Sequence, residues 1–227
     1  NVWGYIMALS KFNFNSFDIT TAASTGLGFN ASANGFSTIN PGSMTLIKTL
    51  TASSSSTISF VHGSSDVVFD STYPLYLFKF INIHPASNDY HFQMNLTGDS
   101  GSNYNVEKLT TFFRARHKED DSLAHLEYSA SFDVASATTT FATISDSLSN
   151  NNDASTSGEL YFFNPASTTF VKHFLSRFNS MQNSPLSADT FTTGFANSTS
   201  AVNGIQFKVN SGNIDSGTIK LYGIKDS

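Results

Sequence analysis

The stretch GIQFKVNSGNIDSGTIKLYGI, residues 204–224, contains two runs in which apolar and polar side chains alternate. Such alternation places the apolar residues on one face of a β-strand. The apolar positions are Ile205, Phe207, Val209, Ile219 and Leu221, and the residues between the runs include Gly212, Asn213 and Asp215. Because Gly, Asn and Asp are turn formers, the stretch predicts two antiparallel strands joined as a β-hairpin.

The chain from Met44 onward repeats this pattern of strand and turn. YPLYLFKFINI, residues 73–83, is apolar on both faces, which is typical of a central strand. YHFQMNLTG, residues 90–98, alternates, and predicts that Phe92 points inward and Asn95 outward. Since strands do not alternate with helices, we predict an all-β fold: an antiparallel two-sheet β-sandwich of about ten strands, jelly-roll-like in its connections.

Two segments are ambiguous in this reading. In TTFVKHFLSRFN, residues 168–179, phenylalanines recur at every fourth position from Phe170 onward, a spacing that also fits a helix. The β-branched flanks and the preceding Asn-Pro favour a strand with Phe170 on its apolar face. Residues 141–158 are mostly polar and are interpreted as a long connection, with room for one helical turn at ISDSL, residues 144–148.

The composition bounds the class of protein. Hydrophobic residues make up 39% of the 227 positions and include 22 phenylalanines, enough for a sizeable core. The net charge of −5 provides no basic field for phosphates, so no nucleic-acid partner is expected. No apolar run approaches the length of a transmembrane helix, and no membrane insertion is expected. The chain has no cysteine, which excludes disulfides and thiolate metal sites.

The first 43 residues differ from the rest in composition. They contain few charges and many small residues, and we interpret residues 1–43 as an extended N-terminal arm and residues 44–227 as the β-sandwich domain. The alternative is a first strand pair with loops of the same domain. Aromatic side chains along the arm are candidate contacts to a partner or ligand. The foremost of these are Trp3, Tyr5, Phe12 and Phe14.

The sequence offers no convincing catalytic grouping. The six histidines are scattered, and the acidic run at residues 119–121 lacks EF-hand spacing, so a solvated turn is favoured over a calcium site. Neither a G-x-S-x-G nor a phosphate-binding glycine motif occurs, and no pair of carboxylates stands out for sugar hydrolysis. We therefore expect no enzymatic activity, no cofactor and no metal. The rings that could stack on sugars are Tyr73, Tyr90, Tyr104, Tyr128 and Tyr161.

Three stretches, residues 44–89, 161–179 and 205–224, resemble a widespread family of marine bacteriophage virion proteins. They follow the expected order and cover most of the domain. Among their most characteristic runs are MTLIKTLTASSSSTISFVHG, YFFNPASTTFVKHFLSRFN and IQFKVNSGNIDSGTIKLYGI. These are structural motifs rather than an active site.

The resemblance implies a structural protein of the virion surface, made in the cytoplasm of an infected bacterium. Capsid decoration, head fibre and tail-fibre domain are the expected kinds. The implied partners are other virion proteins and further copies of the chain, with a homotrimer favoured because phage axes are commonly threefold. A role in host attachment is compatible with this. The alternative function is a carbohydrate-binding β-sandwich module that recognises a host-surface glycan.

Overall fold

The computed structural model describes residues 26–29, 36–39 and 43–225. The predicted contact residues Trp3, Tyr5, Phe12 and Phe14 lie outside these ranges. Strands β1 (Gly26–Phe29) and β2 (Phe36–Ile39) pair antiparallel as a two-stranded sheet of their own. The region before Ser43 is one unit and the region from Ser43 onward is another.

The second unit is built almost entirely from strands. Their bounds are β3 (Met44–Ser55), β4 (Ile58–Val61), β5 (Leu75–Pro85), β6 (Tyr90–Thr97), β7 (Lys108–Lys118), β8 (Ala124–Tyr128), β9 (Ala142–Leu148), β10 (Thr156–Phe163), β11 (Lys172–Gln182), β12 (Leu186–Ala196), β13 (Gly204–Val209) and β14 (Ile214–Ile224). A short 3₁₀ turn covers Ala130–Phe132. Within the described ranges, no helix has the length and apolar character needed to cross a membrane.

The strands form one antiparallel sheet that is nearly closed into a barrel. The hydrogen-bonded order is β3-β14-β5-β10-β11-β9-β6-β13-β4. Its first and last strands, β3 and β4, are consecutive in the chain and are separated only by Ser56 and Thr57. Strands β12, β7 and β8 branch from β11 and extend the sheet on that side. The prediction of an all-β, antiparallel fold is confirmed, and the jelly-roll sandwich stays a prediction.

The predicted hairpin at residues 204–224 is wrong. Strand β13 pairs with β4 and β6, whereas β14 pairs with β3 and β5. Both edges of each strand are thus occupied by other strands, and the turn carries the chain from one part of the sheet to another. Gly212 supplies the positive φ of +79° that this turn needs. The predicted faces are confirmed, since Phe207 and Leu221 are fully buried.

The core is a cluster of phenylalanine rings contributed by strands from distant parts of the sheet. The ring of Phe80 on β5 lies 4.9 Å from Phe178 on β11, 5.6 Å from Phe92 on β6 and 5.0 Å from Phe207 on β13, measured between centroids. Burying each such side chain contributes about 1.5–3 kcal/mol. These rings fix β11, which carries part of the surface described below, against β5 and β6.

Strand β9 corrects the interpretation of residues 141–158 as a polar connection with a helical turn. Its seven residues are nearly all buried. The chain tolerates this burial partly because side chains of β12 bond to backbone carbonyls of β9. Thr190 donates to the Ile144 carbonyl at 3.2 Å and Thr192 to the Thr143 carbonyl at 2.9 Å. Sequence patterning misses such a strand because its partners are distant in the chain.

Two further side chains lie where the alternation did not predict them. Asn95 was expected to point outward but is fully buried, because its amide donates to the carbonyls of Tyr104 and Thr139 at 2.5 and 2.9 Å. Residues 172–182 form a strand as predicted, but Phe170 precedes it and is 69% exposed.

Candidate interaction surface

The side of β7, β12 and β11 that points away from the core is unusually apolar. We call this surface the outer aromatic face. It consists of Leu109, Thr111 and Phe113 on β7, Phe191, Thr193 and Phe195 on β12, and His173, Leu175 and Arg177 on β11. Leu109 and Phe113 are each 39% exposed and Leu175 is 46% exposed. The face arises because these strands carry apolar residues on both sides, with Phe112, Phe174 and Phe178 turned inward.

Cross-strand pairing sets the geometry of the face. Phe113 lies directly opposite Phe191, and their rings stack with centroids 4.7 Å apart and planes 6° from parallel. In the next row Thr111 and Thr193 share a hydrogen bond of 3.0 Å. Leu175 completes that row on β11. A shallow depression lies here, with Leu109, His173 and Phe195 at its border.

The charged groups along one side of this face neutralise each other. Arg177 binds Asp189 through three hydrogen bonds, from Nε to Oδ1 at 3.0 Å and to Oδ2 at 3.2 Å, and from Nη2 to Oδ2 at 2.7 Å. The Arg177 guanidinium also lies 5.0 Å from the centre of the Phe191 ring. In the adjacent strands Lys79 forms an ion pair with Glu159. This side of the face therefore carries two ion pairs next to an aromatic surface. The four charged groups leave no net charge.

A partly buried ionic cluster fixes β8 against β7 on the opposite side of the sheet. Arg114 donates from Nε to Glu127 Oε1 at 2.5 Å and also pairs with the fully buried Asp146. Arg116 reaches the same Glu127 oxygen at 3.1 Å. Burial raises the pKa of Glu127, but the hydrogen bond and charge of Arg114 outweigh it, and the pKa is lowered overall. The carboxylate is thus held in its charged form beside two guanidinium groups.

Two lysines are fully buried at one end of the branch. Lys108 and Lys172 lie on either side of Ala196 in the strand register. Lys108 donates to the Thr140 carbonyl at 2.7 Å, and Lys172 donates to the carbonyls of Ser198 and Ser200. Burial lowers the pKa of Lys108 to about 8 and also lowers that of Lys172. Both ammonium groups hold loops against strand ends, which is a structural role.

The other residues singled out from the sequence do not converge on one site. Of the five candidate tyrosines, Tyr128 is 60% exposed and the other four are partly buried. The acidic run lies in the turn between β7 and β8, where Asp121 pairs with His117 and Asp120 accepts from Ser122. No grouping of three or more potential metal ligands occurs within residues 26–29, 36–39 and 43–225.

The outer aromatic face was not predicted from the sequence. Its signal is present in LTTFFRARH, residues 109–117, where Phe112 and Phe113 are adjacent and must therefore point to opposite sides of a strand. Which of the two sides faces solvent depends on the parts of the chain that pack against the sheet, such as Phe132 against Phe112. No protein-family model matches the chain, and neither curated proteins nor solved structures include a significant match.

Proposed function

We propose that this chain is a non-enzymatic structural protein of a bacteriophage virion surface. In this proposal it forms a homotrimer whose subunits meet through the outer aromatic face, and it acts as capsid decoration, head fibre or tail-fibre domain. The observation that carries the assembly role is the stacked pair Phe113–Phe191 beside the exposed Leu175. Contiguous exposed apolar surface of this kind marks interaction sites.

The charge pattern supports a further copy of the chain as the occupant of this face. The whole chain carries a net charge of −5, which opposes association of identical subunits at a distance. Along one side of the face, however, Arg177 is paired with Asp189, and Lys79 with Glu159. Two copies therefore meet here without unpaired like charges. Aromatic residues and arginine are also the side chains enriched at protein interfaces.

The jelly-roll-like sandwich belongs to the same proposal. The contacts that support it join β5 and β11 to β6 and β13 across the core, through Phe80, Phe92, Phe178 and Phe207. In this arrangement the two runs of strands face each other across these rings. The outer aromatic face then lies on the outside of one sheet, where a neighbouring subunit has access to it.

Carbohydrate recognition at a host surface is the second candidate. The observation in its favour is Tyr128, which is 60% exposed and lies opposite Phe113 in the strand register. Together with Phe191 these rings form a row across three strands on which a sugar could stack. Its test is a glycan array in which Tyr128→Ala loses saturable binding and Tyr128→Phe, which keeps the ring, retains it.

The virion role is tested on particles of the phage that encodes the chain. Gradient-purified virions are analysed by mass spectrometry and by immunogold labelling with an antibody to the purified chain. We expect the chain at a fixed copy number per particle and gold on the particle surface. A chain found only in the soluble lysate contradicts the proposal. Release of reducing sugar ends from host polysaccharide contradicts its non-enzymatic part.

A further inference from the structure

Strand β8 is the last strand of the branch, and one of its edges is open. It pairs with β7 alone among the strands in the described part of the chain. Lys118 N donates to the Leu123 carbonyl at 2.9 Å, and Ser129 N donates to the Phe112 carbonyl at 3.1 Å. Hydrogen-bonded and non-hydrogen-bonded residue pairs alternate along two antiparallel strands. The N–H and C=O groups of Ala124, Leu126 and Tyr128 therefore point to the open side.

The side chains on the outer surface of this edge include no residue that commonly prevents pairing. Natural edge strands are commonly guarded by lysine, proline or a bulge. In β8 the positions that share the outer surface are Ala124, Leu126 and Tyr128, none of which is charged or a proline. Leu126 is 71% exposed and Tyr128 is 60% exposed. Such an edge offers both backbone hydrogen bonds and apolar contact to another strand.

The sequence of β8, AHLEY, is complementary to itself when a second copy is turned end over end about Leu126. Leu126 then lies opposite its own counterpart. His125 lies opposite Glu127, so that an imidazole N–H donor meets a carboxylate. Ala124 lies opposite Tyr128, so that a small side chain leaves room for a large ring. The His125–Glu127 and Ala124–Tyr128 matches each occur twice, and the Leu126 match occurs once on the axis, as a two-fold axis requires.

His125 and Glu127 already form such a pair within one strand. Their Nε2 and Oε2 atoms are 3.2 Å apart, and half of the His125 side chain is exposed. Glu127 is held in place by Arg114 and Arg116, so its carboxylate has a fixed position near the open edge. The Glu127 carboxylate is therefore already positioned to accept a hydrogen bond from His125 of a second strand.

We propose that two copies of the chain pair antiparallel along β8, with the two Leu126 residues on the two-fold axis. The contact continues the sheet of one subunit into the other. Leu126 pairs with Leu126, and Ala124 with Tyr128, as hydrogen-bonded pairs that exchange both of their backbone bonds. This contact is separate from the outer aromatic face and does not depend on a virion role.

Single cysteines test the register directly, because the chain has none of its own. At a hydrogen-bonded antiparallel pair the Cα atoms are about 5.5 Å apart, within the range of about 4.4–6.8 Å that a disulfide spans. Leu126→Cys is therefore expected to form a disulfide-linked dimer under mild oxidation. Ala124→Cys is the matched control, because four residues of strand, about 13 Å, separate it from its own counterpart.

The outcomes distinguish the register from non-specific oxidation. We expect a reducible dimer band from Leu126→Cys, none from Ala124→Cys, and a mixed dimer when Ala124→Cys is combined with Tyr128→Cys. Equal cross-linking of Leu126→Cys and Ala124→Cys, or no cross-linking at position 126, overturns the proposal.

Light scattering on the full chain gives a second, independent test. Leu126→Lys places two ammonium groups against each other on the axis and is expected to halve the mass of the assembly. Ile81→Lys, at an exposed position on β5, is the control and is expected to leave the mass unchanged. A mass that Leu126→Lys does not lower contradicts the two-fold contact. Because the readout is association of purified protein, it is independent of whether the chain is found in virions.

Discussion

Phe113 and Phe191 stack almost parallel on the outside of the sheet, and both rings are partly accessible to solvent. We expect the two rings to couple by about 1 kcal/mol in a double-mutant cycle with leucine at either position, measured by urea unfolding. The cycle should be run in the Leu126→Lys background at low protein concentration, where association contributes least. A coupling indistinguishable from zero would contradict the stacked geometry.

Gly158 is expected to be intolerant of any side chain. A Cβ at this position would lie 2.3 Å from the Arg177 carbonyl oxygen and 2.6 Å from the ring of Phe178. Because both neighbours belong to the core strand β11, Gly158→Ala should destabilise the fold by about 2–4 kcal/mol, in the range of severe overpacking. Gly98→Ala is the control, since its nearest atom is 3.4 Å away. Equal unfolding midpoints for the two variants would refute the close approach.

The ion pair between Arg114 and Asp146 is expected to matter far more than the one between Arg177 and Asp189. Asp146 is fully buried, so Arg114→Met leaves a buried carboxylate without its cation and should cost about 3–5 kcal/mol. Arg177→Met removes a pair in which the arginine is largely exposed and should cost about 1 kcal/mol or less. Adding Asp146→Leu to Arg114→Met should recover much of the loss. Chemical unfolding of the wild type and the three variants checks the order.

Lys108 is expected to make stability rise with pH in the alkaline range. Its pKa is lowered by burial from the ordinary 10.5 to about 8, so between these values the unfolded chain binds the proton and the folded chain does not. Burying the charged ammonium therefore lowers the free energy of unfolding by its full amount below about pH 8. This loss of stability disappears as the pH rises towards 10.5. The full relief is on the order of 3 kcal/mol.

The measurement compares the unfolding free energy of the wild type and Lys108→Met between pH 7 and pH 10. Subtracting the two curves removes the titration of the other groups. The wild type should gain stability relative to the variant as the pH rises. A difference that is flat with pH would mean that folding leaves the pKa of Lys108 unchanged, and one of opposite sign would mean that folding raises it.

The fold class followed from local alternation, but the strand order did not. Phe207 and Leu221 point inward as their pattern indicates, because alternation depends only on the pleat of each strand. The partners of β13 and β14 could not be deduced, since turn residues at Gly212 allow a hairpin as well as a crossover between separate strands. Strand β9 escaped prediction because Thr190 and Thr192, far along the chain, satisfy its backbone.

The candidate surface was harder to predict than the fold. Phe112 and Phe113 are equivalent in sequence, and which ring is buried depends on what packs against each side of β7. Phe112 contacts Phe132 with ring centroids 4.8 Å apart, whereas Phe113 is 39% exposed. The self-complementarity of AHLEY likewise bears on assembly only because β8 lies at an open edge of the sheet. Local patterns therefore give strand faces, whereas assembly surfaces require the strand order.

The central claim is that the outer aromatic face mediates self-association, and light scattering of Leu126→Lys with and without Leu175→Lys tests it most directly. Leu126→Lys removes the edge contact, so any remaining association must use another surface. We predict a trimer for Leu126→Lys and a folded monomer when Leu175→Lys, in the middle of the face, is added. A monomer for Leu126→Lys alone, or a trimer that survives Leu175→Lys, would contradict it.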